Sequence, residues 1–307
     1  VYSAPYDPTD WEANYEIPED GAGDIQQPSW DGDRFTALVN YSTGIVCFKQ
    51  TTVWRVYGTD PGEYQFSEQL GGGTAYPYTV ALNGPYLYML GVDGLWRYNG
   101  ETVAEFQQDT LRDFWQHRVN WDACGKARGV MHRNSYYLAL PIDGSPVNNC
   151  VLILNLEEGT WMLRTDVHAE SWLHTATALY FTSVETPGRV LMWKEDCMLD
   201  RTGAVPMRWV SGWFDLGYKN KTKGSFTVYM TVECEQDVTL RISIQTEKKI
   251  KTKLVTFPAP KPGKLNKQKR MQFGGNGRRF RYIIESTGVE PWQLIGGMEM
   301  RVETDDD

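Results

Sequence analysis

Four tryptophans, Trp54, Trp96, Trp161 and Trp193, each close a stretch built on one grammar, and that repeat constrains the fold more than any other feature of the chain. A short apolar run meets a polar turn, an aromatic-rich run follows, and after a Gly or Asp turn comes the run that carries the tryptophan. Thr36 to Gly58 and Tyr78 to Gly100 are the clearest copies, the second with turns at Leu82-Asn83-Gly84 and Val92-Asp93-Gly94. Glycine at such turns supplies the positive φ that tight hairpins need. The tryptophans stand 42, 65 and 32 residues apart, and the first and last spacings bracket the ~40–50-residue period of four-stranded blades. One blade cannot bury both its faces, so blades stacked around an axis are the physical solution. Four blades are near the minimum for closure, so an added N-terminal strand or earlier blades are expected to complete the ring.

The long spacing holds Gln107 to Val119, where Leu111, Phe114, Trp115 and Val119 fall at helical intervals. An inserted helix packed on the blades is expected there. From about Pro206 the pattern changes. After Trp209–Gly217, Phe226–Glu233 and Thr239–Thr246 alternate apolar and polar residues, the mark of half-buried antiparallel strands, and Phe280–Glu285 and Leu294–Val302 complete a set of five or more strands. The expected architecture is therefore all-β: β-propeller-like blades with one inserted helix over residues 1–205, followed by a β-sandwich domain over 206–307.

Charge divides at the same place. Residues 1–205 carry 13 basic and 27 acidic side chains, net −14, and residues 206–307 carry 18 and 12, net +6. Two units with different neighbours are implied. The strongest feature is a basic run free of acids: Lys248, Lys249, Lys251, Lys253, Lys261, Lys264, Lys267, Lys269, Arg270, Arg278, Arg279 and Arg281. Such a run suits an acidic protein surface or phosphates. Equally, it suits a solvated strand pair and loop whose lysines guard a sheet edge. No base-reading motif accompanies it.

Signatures of chemistry are few. There is no P-loop, no GxSxG, no HExxH and no dinucleotide fingerprint. Propeller glycosidases often carry a Ser-x-Asp-x-Gly-x-Thr-Trp turn, but Glu157-Glu-Gly-Thr-Trp161 lacks its Ser and Asp and fits a plain hairpin. The five cysteines (47, 124, 150, 197 and 234) form no CxxC pair and suit reduced, buried side chains. The four histidines show no metal-ligand spacing. No catalytic residue, cofactor or metal is expected on these grounds, and the chain is expected not to be an enzyme. No apolar stretch approaches the ~20 residues of a spanning helix, so no membrane partner is expected.

The opening Val1-Tyr-Ser-Ala-Pro-Tyr-Asp-Pro-Thr-Asp-Trp11, then Phe48 to Gly58, Leu90 to Gly100, Arg133 to Pro141 and Trp209…Asp215-Leu-Gly217, resemble β-propeller virion proteins of tailed bacteriophages, the nozzle, tail-tube or stabilisation proteins. That resemblance implies a structural component of the virion neck or tail, made in the bacterial cytoplasm. It also implies a homo-oligomeric ring that meets head-connector and tail proteins around the DNA exit channel, with non-specific contact to that DNA. The aromatic content, 13% of residues, keeps a second function class open: a carbohydrate-binding or glycan-hydrolysing β-propeller, whose exposed rings stack on sugars and whose pocket pairs carboxylates.

Overall fold

The structure is a computed structural model. It describes every residue except 1–2, 5–6, 13–20, 24–32, 43, 59–63, 195–198, 201–202, 218–221, 262–265, 287 and 305–307. Lys264 of the basic run, Cys197 and the acidic tail from Asp305 lie outside the described residues. Two compact units are present, Val1–Lys194 and Glu195–Asp307. The division precedes the one marked by charge, because the short hairpin of Leu199–Asp200 and Gly203–Ala204 belongs to the second unit.

The first unit is a succession of antiparallel meanders. β1 (Ala37–Tyr41), β2 (Gly44–Phe48), β3 (Thr52–Tyr57) and β4 (Gln65–Leu70) form the first blade. β5 (Ala81–Asn83), β6 (Tyr86–Leu90), β7 (Leu95–Tyr98) and β8 (Val103–Glu105) form the second. After the helix α1 (Gln108–His117) come β9 (Arg128–His132), β10 (Ser135–Leu140), β11 (Cys150–Asn155) and β12 (Thr160–Thr165). The fourth sheet has three strands, β13 (Ala169–His174), β14 (Leu179–Ser183) and β15 (Val190–Trp193).

Period-two alternation explains how these sheets stack. On β10, Tyr136, Leu138 and Leu140 face the second blade and α1, packing with Leu90, Leu95, Leu111, Phe114 and Trp115. Tyr137 and Ala139 point the other way and pack with Leu179, Trp172, Phe181 and Trp193 of the fourth sheet. Val46, Phe48 and Val53 likewise meet Leu87, Met89 and Tyr98 between the first two blades. The Tyr136 hydroxyl donates to the Thr79 carbonyl at 2.6 Å, joining the third blade to the turn that leads into the second. Gly129 is obligatory beside that bond, since a Cβ there would lie 2.5 Å from the tyrosine oxygen and 2.6 Å from the Thr79 carbonyl.

One expectation fails in detail. Trp54, Trp96 and Trp193 lie on the third strand of their blades, but Trp161 lies on β12, the fourth. The 65-residue spacing thus contains a one-strand slip as well as the helix. Trp161 is 43% exposed whereas Trp54 is 5% exposed, so the tryptophans mark strands and not equivalent core positions.

The second unit is a sandwich. Its strands are β18 (Met207–Val210), β19 (Lys223–Cys234), β20 (Val238–Thr246), β21 (Ile250–Phe257), β22 (Lys269–Phe273), β23 (Phe280–Ser286) and β24 (Trp292–Thr304), after β16 and β17 of the short hairpin. They form two antiparallel sheets, β18-β23-β20-β21 and β22-β19-β24. Phe226, Val228 and Met230 of one sheet bury against Leu240, Ile242, Ile244, Phe280 and Ile284 of the other. Two of the seven sandwich strands, β21 and β22, come from within the basic run. No helix among the described residues is long and apolar enough to cross a membrane.

Candidate functional site

The outer face of the four-stranded sandwich sheet carries a row of side chains fixed by strand register. Arg208 pairs with Glu285, Glu285 with Arg241, and Arg241 with Leu254. The neighbouring row, with Ile284 and Ile242, points into the core, so alternation directs Arg208, Glu285, Arg241 and Leu254 outward. Arg208 Nε stands 3.2 Å from Glu285 Oε1.

Around this row lies a concavity of about 470 Å³. Asp237 and Glu290 add two carboxylates to that of Glu285, Thr239 and Ser286 add hydroxyls, and Pro206, Met207 and Leu254 supply apolar walls. The Asp237 carboxylate is held in place by the Ala259 amide, which donates to it at 2.9 Å. Ser286 is 3% exposed, and its hydroxyl has no hydrogen-bond partner within the described protein. A buried hydroxyl left unpaired costs about 1–3 kcal/mol.

Gly288 shapes the wall. A Cβ at that position would fall 2.4 Å from Glu290 Oε2, so glycine leaves room for the carboxylate to fold back over the backbone there. Gly288→Ala is expected to swing the Glu290 side chain aside with no loss of melting temperature, because only the end of a flexible side chain must move. A crystal structure of the variant checks this; a Glu290 carboxylate left in place would refute it.

The chemistry on offer is a mixture of fixed donors and acceptors. Two guanidiniums donate, three carboxylates accept, and apolar side chains stand beside them. Two positive and three negative groups nearly balance, so the concavity does not draw in strongly charged anions. Neutral polyhydroxyl compounds fit it, since each hydroxyl both donates and accepts and the carbon-bound face is apolar. Among the described residues no group of three His, Cys, Asp or Glu side chains is placed to hold a metal.

The residues singled out by sequence are spread over the sandwich. Lys248 and Lys249 sit at the β20–β21 turn, and Arg278 is tied to it by its amide, which donates to Glu247 Oε2 at 2.9 Å. Arg281 lies over the Trp213 ring at 4.8 Å. Lys251, Lys253 and Lys269 are on the edge strands β21 and β22, Arg270 is on β22, Arg279 is exposed, and Lys261 and Lys267 lie between the edge strands. None of these lines the concavity. Its own residues were passed over in the sequence because isolated Arg, Glu and Asp positions acquire meaning only through register. A signal did exist in the alternation of β20 and β23, where Arg241 and Glu285 interrupt apolar strands on the polar phase.

Glu157-Glu-Gly-Thr-Trp161 is the expected hairpin. Asn155 Oδ1 accepts from the amides of Glu157 and Glu158, and Gly159 has a φ of 66°. The four described cysteines are buried and unbridged. Burial pushes the Cys47 thiol up to about 11 and those of Cys124 and Cys150 up to about 12. All four are expected to resist alkylation at pH 8 until the chain unfolds, as read by peptide mapping; native labelling of Cys124 or Cys150 would contradict the packing. Raised folded-state values mean that stability is intact below about 9, the ordinary thiol value, and falls as pH climbs from there toward 12.

No protein-family model matches the sequence, and no curated protein matches it. Among solved structures, the exo-β-1,3-galactanase of Phanerochaete chrysosporium with galactose aligns at 10% identity over 85% of this chain and 79% of that one, with a TM-score of 0.28. A variant of that enzyme with β-1,3-galactotriose aligns at 10% identity over 82% and 77%, with a TM-score of 0.27. These findings correct two expectations, the structural virion component and the absence of enzymatic activity: the solved structures aligned here are of a glycan hydrolase. The physical reason for the error is that tryptophan-spaced hairpins report four-stranded meanders, which serve assembly and carbohydrate chemistry alike. At this identity and TM-score the likeness transfers no substrate and no catalytic residue to the chain.

Proposed function

We propose that this chain is a carbohydrate-active protein that seats a glycan unit in the concavity of its sandwich. The observation that carries this is the Arg208–Glu285–Arg241 row ending in the 71% exposed Leu254. Vicinal hydroxyls of a sugar match such a row: one accepts from a guanidinium while its neighbour donates to the carboxylate. The apolar face of the ring then lies against Leu254. Glu285, Asp237 and Glu290 also provide the kind of groups that glycoside hydrolysis uses as acid, base or nucleophile.

The test begins with an array of neutral oligosaccharides, followed by calorimetric titration of the best binder and an assay for new reducing ends. Binding that Arg241→Ala weakens supports the proposal. Release of reducing sugar lost in Glu285→Gln or Glu290→Gln would make the site hydrolytic. Failure of every neutral glycan to bind, or binding unchanged by Arg241→Ala, would overturn it.

A further inference from the structure

The edge of the sandwich opposite β18 has an unusual construction. Lys253 and Lys251 pair with Ile242 and Ile244, both buried in the core, so on β21 the two lysines occupy the inward phase. Lys269 does the same on β22, opposite the buried Met230. Three inward-phase positions of the two edge strands therefore hold ammonium groups. Two of the three ammoniums lie over apolar rings: Lys253 Nζ is 5.7 Å from the Phe273 ring centre and Lys269 Nζ is 5.6 Å from that of Phe257. Lys269 Nζ also donates to the Thr256 carbonyl. Lys261 and Lys267, in the segment joining the two strands, are exposed. Among the described residues none of these five lysines forms an ion pair.

We propose that this edge is a docking surface for an anionic glycan, a chain bearing sulfate or uronate groups. Charge complementarity is the first argument: five unneutralised ammoniums on one edge repel one another, and a polyanion removes that cost. The second separates glycans from single-stranded nucleic acid. Nucleic-acid grooves need open aromatic faces for base stacking, whereas Phe257 and Phe273 are covered by lysine ammoniums here. The third is that all five are lysines, point charges without the fixed fork of arginine, which suits a polymer held along its length more than one planar group held tightly. The chain is acidic overall, but beyond about 8 Å salt screens the distant carboxylates, so the edge acts locally.

The choice of a glycan among polyanions rests on the function proposed above, and the two are read separately. The probes are heparin, polygalacturonate, neutral dextran and oligothymidylate. Wild type is expected to bind heparin or polygalacturonate with an affinity that falls steeply with salt, and to ignore dextran at this edge. The variant Lys251→Gln/Lys253→Gln/Lys269→Gln is expected to lose about tenfold or more of that affinity, since rim charges govern such association. Glu285→Gln is expected to leave it unchanged while altering neutral-glycan binding. Retained folding of the triple variant is checked by circular dichroism. If it proves unfolded, Lys261→Gln/Lys267→Gln, outside the strands, replaces it and is expected to lose several-fold. Equal binding by wild type and variant would reduce the lysines to guards of a sheet edge and overturn the inference. Oligothymidylate binding as tight as heparin, with the same lysine dependence, would also overturn it.

Discussion

Replacing Trp115 with alanine is expected to destabilise the blade unit by about 3–5 kcal/mol, the usual cost of truncating a large buried aromatic. Trp115 is 2% exposed and sits where α1, the second blade and the third blade share one core. Its ring meets that of Phe114 edge-on at 5.0 Å, and its carbonyl accepts from Trp121 Nε1 at 3.1 Å. The backbone bond survives the substitution, so the loss falls on packing. Trp115→Phe is expected to cost far less, because the indole N–H has no partner among the described atoms and its burial is already unfavourable. Calorimetry should show the blade transition moving while that of the sandwich stays. A shift of less than about 1 kcal/mol for the alanine variant would mean that the helix is not part of this core.

The second large effect concerns the concavity. Glu285→Gln is expected to weaken neutral-glycan binding by about 10–100-fold, the loss of a charge-assisted hydrogen bond of about 1.5–3 kcal/mol. Shape is conserved, but a carboxylate flanked by two arginines becomes an amide whose N–H₂ faces one of them. Global stability should change little, since the Arg208 and Glu285 side chains are 60% and 30% exposed and such pairs contribute at most about 1 kcal/mol. Titration calorimetry beside a thermal melt separates the two outcomes. Affinity within twofold of wild type would remove Glu285 from the site.

How much of this was legible beforehand follows the range of the interactions involved. Hairpins and strands are local, so the blades, α1 and four sandwich strands could be located from turns and periodicity. The strand slip at Trp161 escaped because β11 (Cys150–Asn155) is an apolar run up to Asn155 and carries no tryptophan of its own. β21 and β22 were legible only as one of two readings of the basic run, a strand pair and loop at a sheet edge, because lysines at inward positions break the alternation by which a strand is recognised. The concavity could not be located at all: Arg208, Arg241 and Glu285 are far apart in the chain, and only antiparallel register makes them neighbours. The functional inference implied by the resemblance failed for a related reason, since the blade motifs that carried it constrain the backbone while ligands meet side chains.

The strand β10 serves as a party wall. Because Tyr136 and Tyr137 belong to different interiors, a slip of one residue would exchange the lining of both chambers at once. Misalignment there carries a double penalty, which protects the native pairing during folding. The same arrangement means that this sheet cannot be cut out or transplanted alone, since each adjoining sheet would lose the surface on which it rests.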